Sequence, residues 1–247
     1  MADPDRRNGS GSAPSHVRIE PDAVVGDRVL FADEGKTPTF VRAGARIGAG
    51  AVIAGGIEIG RGALVRPGSV VLSSVPANAV VEGNPAEVVG YVDAEPVLGP
   101  VSVTPASVVP LPVGGAALHR MQRVRDWRGD LTVGEVGRDL PFDPKRWFMV
   151  FDVPDFQLRG EHAHRVCHQF LICVRGSCRT LLDDGRRRGQ VTLDSPDLGV
   201  HMPPMVWGTQ YRYTSDAVLL VFASHPYDPG DYIRTYDAFL ATVERNA

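Results

Sequence analysis

An aliphatic residue recurs at every sixth position through much of the first third of this chain, and this period constrains the fold more than any other feature. The aliphatic series consists of Ile19, Val25, Val41, Ile47, Ile53, Ile59, Val65 and Val71. A small residue often stands four places after each of them, and glycine often follows directly, as at Gly26, Gly48 and Gly60. A repeat this regular indicates that one short structural unit is stacked many times.

A six-residue period predicts a left-handed parallel β-helix, in which each hexad forms one face of a triangular coil. The aliphatic side chain fills the interior of the prism, while glycine and small residues permit the corners. We expect this β-helix over residues 16–92, after a disordered tail over residues 1–15 that lacks the apolar centre of a secretory signal. The period breaks once, between Phe31 and Val41, which predicts a loop that projects from the prism.

The composition argues against several classes of function. Of the 247 residues, 43% are hydrophobic and 22% charged, and the formal net charge is −3, so neither a nucleic acid nor a membrane surface is expected as the main partner. No apolar run approaches the roughly 20 residues that a spanning helix needs. The three cysteines, Cys167, Cys173 and Cys178, are odd in number and close together, which favours free thiols in a reducing cytoplasm.

The hexad period ends near residue 92, and the rest of the chain follows two other sequence patterns. Residues 93–117 contain five prolines and no charge after Glu95, which predicts an extended linker. Residues 118–247 contain short runs rich in Val, Leu, Phe and Tyr, bounded by turn residues such as Asp183 to Gly185, and these predict an antiparallel sandwich or barrel. A final series of apolar residues predicts a helix that covers the barrel: Tyr232, Ile233, Tyr236, Phe239, Leu240 and Val243.

Several motifs in the second half occur together and in order. They read RGEHAHR, GSCRTLLDDG, VTLDSP, VW and YDPGDYIRTYDAF, preceded by RDWRGDL. Together they resemble the cupin-type (WxcM-like) dTDP-4-keto-6-deoxyglucose 3,4-ketoisomerases of deoxysugar biosynthesis. The resemblance implies a jelly-roll cupin barrel, so the expected fold class is all-β: a left-handed β-helix, then a cupin domain over residues 118–247 with a C-terminal helix.

The same resemblance implies a reaction and residues to perform it. A 4-ketosugar becomes a 3-ketosugar through an enediol, which needs a proton-transfer group with a pKa near neutrality. By resemblance, His164 and His162 are the proton-transfer residues, and Arg159 stabilises developing charge on oxygen. The substrate or nucleotide would be bound by Arg128, Gln169, Tyr227 and Arg234, with Arg128 on a diphosphate oxygen. The family works without a cofactor, so none is expected.

A metal site is the alternative interpretation of the histidines. On a single strand, the spacing of His162, His164 and His168 would place all three on one face. With His201 from a later strand they could hold a transition metal. Two departures from the family pattern motivate a diverged enzyme of this kind: His168 stands where an acidic residue is usual, and Gly208 stands where the family has histidine. A third departure is Phe148, which stands where the family has a tyrosine.

The first half carries a second resemblance. The segment SSVPANAVVEGNPAEVVGYV is similar to the closing coil of hexapeptide-repeat acyltransferases, particularly sugar N-acetyltransferases. The coils that would carry a sugar pocket are missing, and Asp33 and Glu34 stand where an Asn-Asp pair is common. We therefore expect a trimerising scaffold without acetyl transfer.

Four functions remain open from the sequence, the weakest of which is acetyl transfer by the first half. The first is the isomerase, the second a diverged, metal-dependent cupin enzyme acting on another small molecule, and the third a ligand-binding or scaffold protein without catalysis. A trimeric β-helix joined to a dimeric cupin predicts a homo-oligomer, in the simplest closed form a hexamer.

Overall fold

The computed structural model describes residues 14–32, 37–96, 107–154 and 157–245. The chain divides into two compact units, Met1–Val92 and Asp93–Ala247. Most of the predicted tail, and the loop residues Asp33 and Glu34, lie outside the described residues.

The first unit is a parallel β-helix with three faces. Its strands are β1 (Val17–Ile19), β2 (Val24–Val25), β3 (Leu30–Phe31), β4 (Thr39–Val41), β5 (Arg46–Ile47), β6 (Val52–Ile53), β7 (Glu58–Ile59), β8 (Leu64–Val65), β9 (Val70–Val71), β10 (Ala79–Gly83) and β11 (Ala86–Tyr91). Strands β1, β4 and β7 form one face, β2, β5, β8 and β10 the second, and β3, β6 and β9 the third. Strand β11 closes the unit as an antiparallel hairpin with β10.

The aliphatic series fills the prism as predicted, except on the first coil. The completely buried members are Val41, Ile53, Ile59 and Val65. Ile19 is 40% exposed, because it lies on the first coil and no other described coil covers that end. Glycine is required where the coils approach most closely: a side chain at Gly48 would meet the backbone of the next coil at 2.4 Å.

The break in the hexad period is a real insertion into one coil. Val24 pairs with Arg46, 22 positions on, whereas Arg46 pairs with Leu64, 18 positions on. The additional residues fall between β3 and β4, where the sequence predicted a loop. The strands on either side keep their register despite the insertion.

The second unit is built from two facing six-stranded sheets. Its strands are β12 (Ala94–Pro96), β13 (Ser107–Pro110), β14 (Ala117–Arg120), β15 (Gln122–Asp126), β16 (Gly129–Val133), β17 (Arg146–Phe151), β18 (Arg159–His164), β19 (Gln169–Arg175), β20 (Cys178–Asp183), β21 (Arg188–Leu193), β22 (Leu198–Met202), β23 (Trp207–Tyr211), β24 (Val218–Ala223) and β25 (Tyr232–Ile233). The first sheet has the order β12-β21-β20-β23-β18-β25, and the second β13-β14-β22-β19-β24-β17. Leu171 and Val221 from the second sheet share one buried core with Leu182 and Val191 from the first.

Two sequence predictions differ from the structure. The predicted linker contributes β12, which pairs with β21, and β13, which pairs with β14, to the sheets of the second unit. The predicted helix is shorter than its apolar series: α1 covers Tyr236–Arg245, while Tyr232 and Ile233 form β25 beside β18. Helix α1 nevertheless packs against the barrel through Phe239, which is completely buried beside Trp207.

Within the described ranges, no helix has the length and apolar character to cross a membrane.

Creating a cavity inside the β-helix should lower its free energy of unfolding and speed its hydrogen exchange. Ile53→Ala removes a completely buried side chain, and we expect a cost of about 2–5 kcal/mol. Hydrogen exchange followed by mass spectrometry should show faster exchange in peptides from residues 39–71. The control is Val24→Ala, at a side chain that is 58% exposed, for which a change within about 0.5 kcal/mol is expected. Equal exchange in both variants would contradict the packing described here.

Candidate active site

A β-bulge shapes the strand that carries the histidine motif. Gly160 pairs with Thr209 and His162 with Gly208, so Glu161 is an additional residue on β18. Both bulge residues have left-handed backbone angles, with φ of +83° at Gly160 and +53° at Glu161. A side chain at Gly160 would lie 2.6 Å from the carbonyl oxygen of Gly208, so glycine is needed there. The His162 Nδ1–H group donates to the Gly160 carbonyl at 2.8 Å, which fixes the orientation of that ring.

His164 forms a buried pair with Asp231. Its Nδ1 lies 2.6 Å from Asp231 Oδ2, and the two side chains are 2% and 7% exposed. The other oxygen of Asp231 accepts the backbone N–H groups of Arg165 and Val166, each at 2.8 Å. Burial alone would raise the pKa of Asp231, but these N–H groups and the His164 imidazole hold it below its usual value. The residue is therefore a carboxylate that accepts the Nδ1 proton of His164.

This arrangement leaves Nε2 of His164 as the basic nitrogen. Because Nδ1 carries the proton, Nε2 presents a lone pair, and the side-chain amide of Gln169 donates to it at 3.2 Å. Burial lowers the pKa of His164 below its ordinary value, while the bond to Asp231 opposes that shift. At neutral pH the ring is consequently an uncharged base with a fixed tautomer.

The second histidine of the motif has an unused nitrogen. His162 Nε2 is buried and has no hydrogen-bond partner among the residues that the structure describes. Burial lowers the pKa of His162 to about 4, so it too is uncharged at neutral pH. The rings of His162 and His164 meet edge to face with centroids 5.0 Å apart, and Tyr232 lies against both, at 4.9 and 4.3 Å. An orphaned nitrogen beside a neutral base is a position suited to a ligand hydroxyl.

Aromatic and cationic side chains continue from the histidine pair towards solvent. Tyr227 lies 5.6 Å from Tyr232, and the Arg234 guanidinium covers the Tyr232 ring at 4.3 Å. Arg146 lies over both Tyr227 and Phe148, at 5.4 Å from each ring centroid. Of the predicted binding residues, Gln169, Tyr227 and Arg234 thus belong to one continuous cluster with His162 and His164.

The other two arginines that the sequence predicts for the site, Arg159 and Arg128, lie outside this cluster. Arg159 begins β18 opposite Gln210, on the far side of the bulge from His162. Its charge acts on the buried Tyr213 phenol, whose pKa burial raises strongly. Arg128 is exposed at the turn of the β15–β16 ribbon and pairs with Asp126. That ribbon is hydrogen-bonded to neither barrel sheet.

The comparisons with known proteins show the family of the second unit. The family model described as WxcM-like, C-terminal matches residues 115–244. The chain belongs to that family. A TDP-4-oxo-6-deoxy-α-D-glucose-3,4-oxoisomerase from Aneurinibacillus thermoaerophilus is 43% identical, and the match covers 48% of this chain and 85% of that protein.

Solved structures of WxcM-like relatives share the fold of the second unit. The sugar 3,4-ketoisomerase QdtA from Thermoanaerobacterium thermosaccharolyticum, crystallised with TDP, is 36% identical with a TM-score of 0.52. The match covers 53% of this chain and 96% of QdtA. A 3,4-ketoisomerase from Helicobacter canadensis is 34% identical with a TM-score of 0.51, over 52% of this chain and 97% of that one.

The first unit has relatives of another kind. A model for six hexapeptide repeats of bacterial transferases matches residues 38–73. Serine acetyltransferase 4 from Arabidopsis thaliana is 38% identical, with 37% of this chain and 30% of that protein covered. A 2,3,4,5-tetrahydropyridine-2,6-dicarboxylate N-acetyltransferase from Clostridium perfringens is 48% identical over 24% of this chain and 25% of its own length. The chain thus spans less than a third of these acetyltransferases.

The expectation that His162, His164 and His168 share one face of a strand is wrong. Strand β18 ends at His164, and the chain turns before β19 begins at Gln169. Gln169 contacts His164, whereas His168 Nδ1 lies 3.0 Å from His201 Nε2. The His168 and His201 rings also lie beside Phe142, which packs on a cluster separate from the main core. The alternative four-histidine metal set is therefore split between two places.

The potential metal ligands that remain around His164 do not suit a metal ion. His164, Cys167 and Asp231 have potential ligand atoms within 4.8 Å of one another. Both oxygens of Asp231 are already engaged, by His164 and by two backbone N–H groups. Gly208, opposite His162, offers no ligand, and a side chain there would meet Met202 Sδ at 2.5 Å. We derive no chemistry through a metal.

Sequence reasoning missed three residues of this cluster. Asp231 and Tyr232 lie in the motif YDPGDYIRTYDAF, where the apolar series predicts only a helix from Tyr232 onwards. Asp231 in fact ends a short 3₁₀ helix, Pro229–Asp231, that directs its side chain towards His164. Arg146 is the first residue of β17, the strand in which the family usually has tyrosines. The signal for Asp231 was an acidic residue inside a matched motif, but nothing local links it to His164.

The His168–His201 pair should make the free energy of unfolding fall as the pH is lowered below neutrality. Burial, with the neighbouring histidines, lowers the pKa of His201 to about 4. An unfolded chain takes up this proton near pH 6.5 and the folded chain only near pH 4, so stability falls as the pH drops through that interval. Urea unfolding of His201→Phe should show a smaller loss between pH 7 and pH 4.5 than the wild type. Parallel losses in the two proteins would contradict the low pKa.

Proposed function

We propose that the chain is an isomerase that converts a nucleotide-linked 4-keto-6-deoxyhexose into the 3-keto sugar through an enediol. The observation that carries the proposal is the neutral His164 base, oriented by the buried Asp231 carboxylate, next to the orphaned nitrogen of His162. A dTDP-linked sugar is the substrate class favoured by the names of the WxcM-like relatives.

In this proposal, His164 Nε2 removes the proton from C3 of the sugar. The C3–H electron pair forms the C3–C4 double bond, and the C4 carbonyl becomes an oxyanion that then takes a proton. Loss of the proton on the C3 hydroxyl and return of a proton to C4 give the 3-keto product. One proton leaves carbon and one returns, so the reaction needs neither oxidant nor reductant.

The remaining residues hold the sugar and its charge. His162 Nε2 accepts a hydrogen bond from a sugar hydroxyl and serves as the second proton-transfer group, which relieves its buried, unpartnered state. Asp231 stabilises the imidazolium that forms when His164 is protonated. Arg234, over the Tyr232 ring, supplies positive charge for the nucleotide, whereas Arg159, beyond the bulge from His162, is given no part in the reaction. Because acid–base groups suffice for each step, the proposed reaction uses no cofactor.

The setting of the reaction follows from features of both units. The partner is a small-molecule sugar nucleotide, and the buried, free Cys167, Cys173 and Cys178 favour a cytoplasmic site of action. The β-helix, which we propose to be left-handed, serves as a trimerising scaffold, and the cupin as a dimerising unit. Acetyl transfer is not part of the proposal, since the first unit spans only a fraction of the acetyltransferases it matches.

The direct test follows the C3 proton. With TDP-4-keto-6-deoxyglucose in D2O, proton NMR should show loss of the C3 signal and appearance of a 3-keto product. His164→Asn should abolish both while leaving the circular dichroism spectrum unchanged. Exchange that persists in His164→Asn would remove His164 from the reaction, and no exchange with the wild type would refute the proposed function for this substrate.

Replacing Asp231 should change the rate and its pH dependence together. Asp231→Asn keeps a side-chain oxygen for the backbone N–H groups but turns an amide towards Nδ1 of His164, so the turnover should fall by about 10²–10⁴-fold. In the wild type, kcat/KM should fall on the acid side as His164 is protonated, below pH 6.5 because burial lowers its pKa. Since Asp231 raises that pKa, the acid limb of Asp231→Asn should move to lower pH.

The control for this variant is Asp228→Asn, three residues earlier, where the carboxylate caps the Gly230 N–H. It should keep the wild-type pH profile. A lower rate in Asp231→Asn without any shift of the acid limb would point to general damage instead of a role through His164.

A further inference from the structure

Gln210 is a buried polar residue of the barrel that no part of the proposed reaction uses. Its side chain is only 6% exposed. It lies on β23 two positions after Gly208, so the two residues point to the same face of the sheet. That face is the barrel interior, because a side chain at Gly208 would meet Met202, which belongs to the core between the two sheets.

The amide of Gln210 lies beside the bulge that positions His162. Its Oε1 is 2.8 Å from the point that a Cβ at Gly160 would occupy, and its Nε2 is 3.5 Å from the corresponding point at Gly208. Gly208 pairs with His162, and residues directly opposite in an antiparallel pair share a face. Gln210 is therefore a diagonal neighbour of His162, at a separation that long side chains bridge.

This amide has no hydrogen-bond partner in the part of the chain that the structure describes. A buried amide without hydrogen bonds is costly, so a group of this kind requires a ligand or water. The backbone positions beside it, Gly160 and Gly208, are both glycines, so no side chain from either position covers it. The arrangement indicates a polar ligand inside the barrel next to His162.

The proposed reaction needs a hydrogen-bond donor in this part of the site. Proton removal from C3 places negative charge on the C4 oxygen of the sugar. His164 presents a lone pair at Nε2, and His162 does the same because its Nδ1–H group donates to Gly160. Two acceptors cannot stabilise a developing oxyanion, so a separate donor is required.

We infer that Gln210 donates a hydrogen bond from its side-chain amide to the C4 oxygen of the 4-keto sugar. This inference rests on the proposed function, and it makes Gln210 a catalytic residue. An N–H donor bonds more strongly to the enediolate oxygen than to the ketone oxygen, so it lowers the barrier more than it tightens substrate binding.

The test separates kcat from KM with TDP-4-keto-6-deoxyglucose. Gln210→Met replaces the amide by an apolar chain of similar length, so kcat should fall by about 10²–10³-fold while KM changes much less. Gln210→Glu keeps the size but brings a carboxylate to the oxyanion, so its kcat should be lower still. TDP, which has no sugar, should bind both variants as tightly as the wild type in titration calorimetry.

The matched control is Gln190→Met in the same sheet. The Gln190 amide oxygen already accepts the hydroxyl group of Tyr211, so it is engaged by protein and not by substrate. This variant should melt at a lower temperature and keep the wild-type kcat.

Each outcome decides the inference. A wild-type kcat in Gln210→Met would overturn it and leave the proposed function intact. A higher KM with an unchanged kcat, or an equal loss of TDP binding, would overturn it as well, because Gln210 would then bind the ground state or support the fold. If Gln210→Met lost the wild-type circular dichroism spectrum, a wild-type kcat in Gln210→Glu would overturn it. A wild type without turnover would refute the proposed function itself.

Discussion

The buried carboxylate of Asp231 is the group on which the second unit's site depends. It receives three hydrogen bonds, one from the His164 ring and two from the backbone at Arg165 and Val166. These bonds join the end of β18, the turn that follows it and the 3₁₀ helix before β25. Desolvation makes such a carboxylate costly, and three donors offset that cost. The same bonds that stabilise the turn also set the tautomer of His164.

The bulge on β18 and the Asp231 carboxylate together position the two histidines. Without the additional residue at Glu161, the pleat would alternate regularly from Arg159 onwards. With it, His162 sits opposite Gly208 and its ring is held by the Gly160 carbonyl. Tyr232 then packs against both imidazoles. Two histidines two positions apart thus receive different environments: one is oriented by a carboxylate and the other retains a buried free nitrogen.

The sequence predicted the parts of this molecule that depend on local pattern. The hexad period requires a stacked coil, and the structure buries the aliphatic series from Val41 to Val71 accordingly. The family resemblance assigned His162, His164 and Gln169 to one site, and the structure brings them together. Reasoning from local pattern failed for His168, since alternation holds only within a strand and β18 ends at His164. It could not find the Asp231 contact, because the two residues are 67 positions apart and a tertiary fold must bring them together.

The hydrogen bond between Gln169 and His164 has a consequence for how a substrate enters. Gln169 belongs to β19 in one sheet and His164 to β18 in the other, so this buried bond joins the two sheets at the base. The lone pair that would act as base is occupied by protein in the resting state. A ligand must therefore displace the Gln169 amide from His164 Nε2 and bring a carbon-bound hydrogen to that nitrogen. In the proposed reaction, the freed Gln169 amide becomes a hydrogen-bond donor available to the sugar.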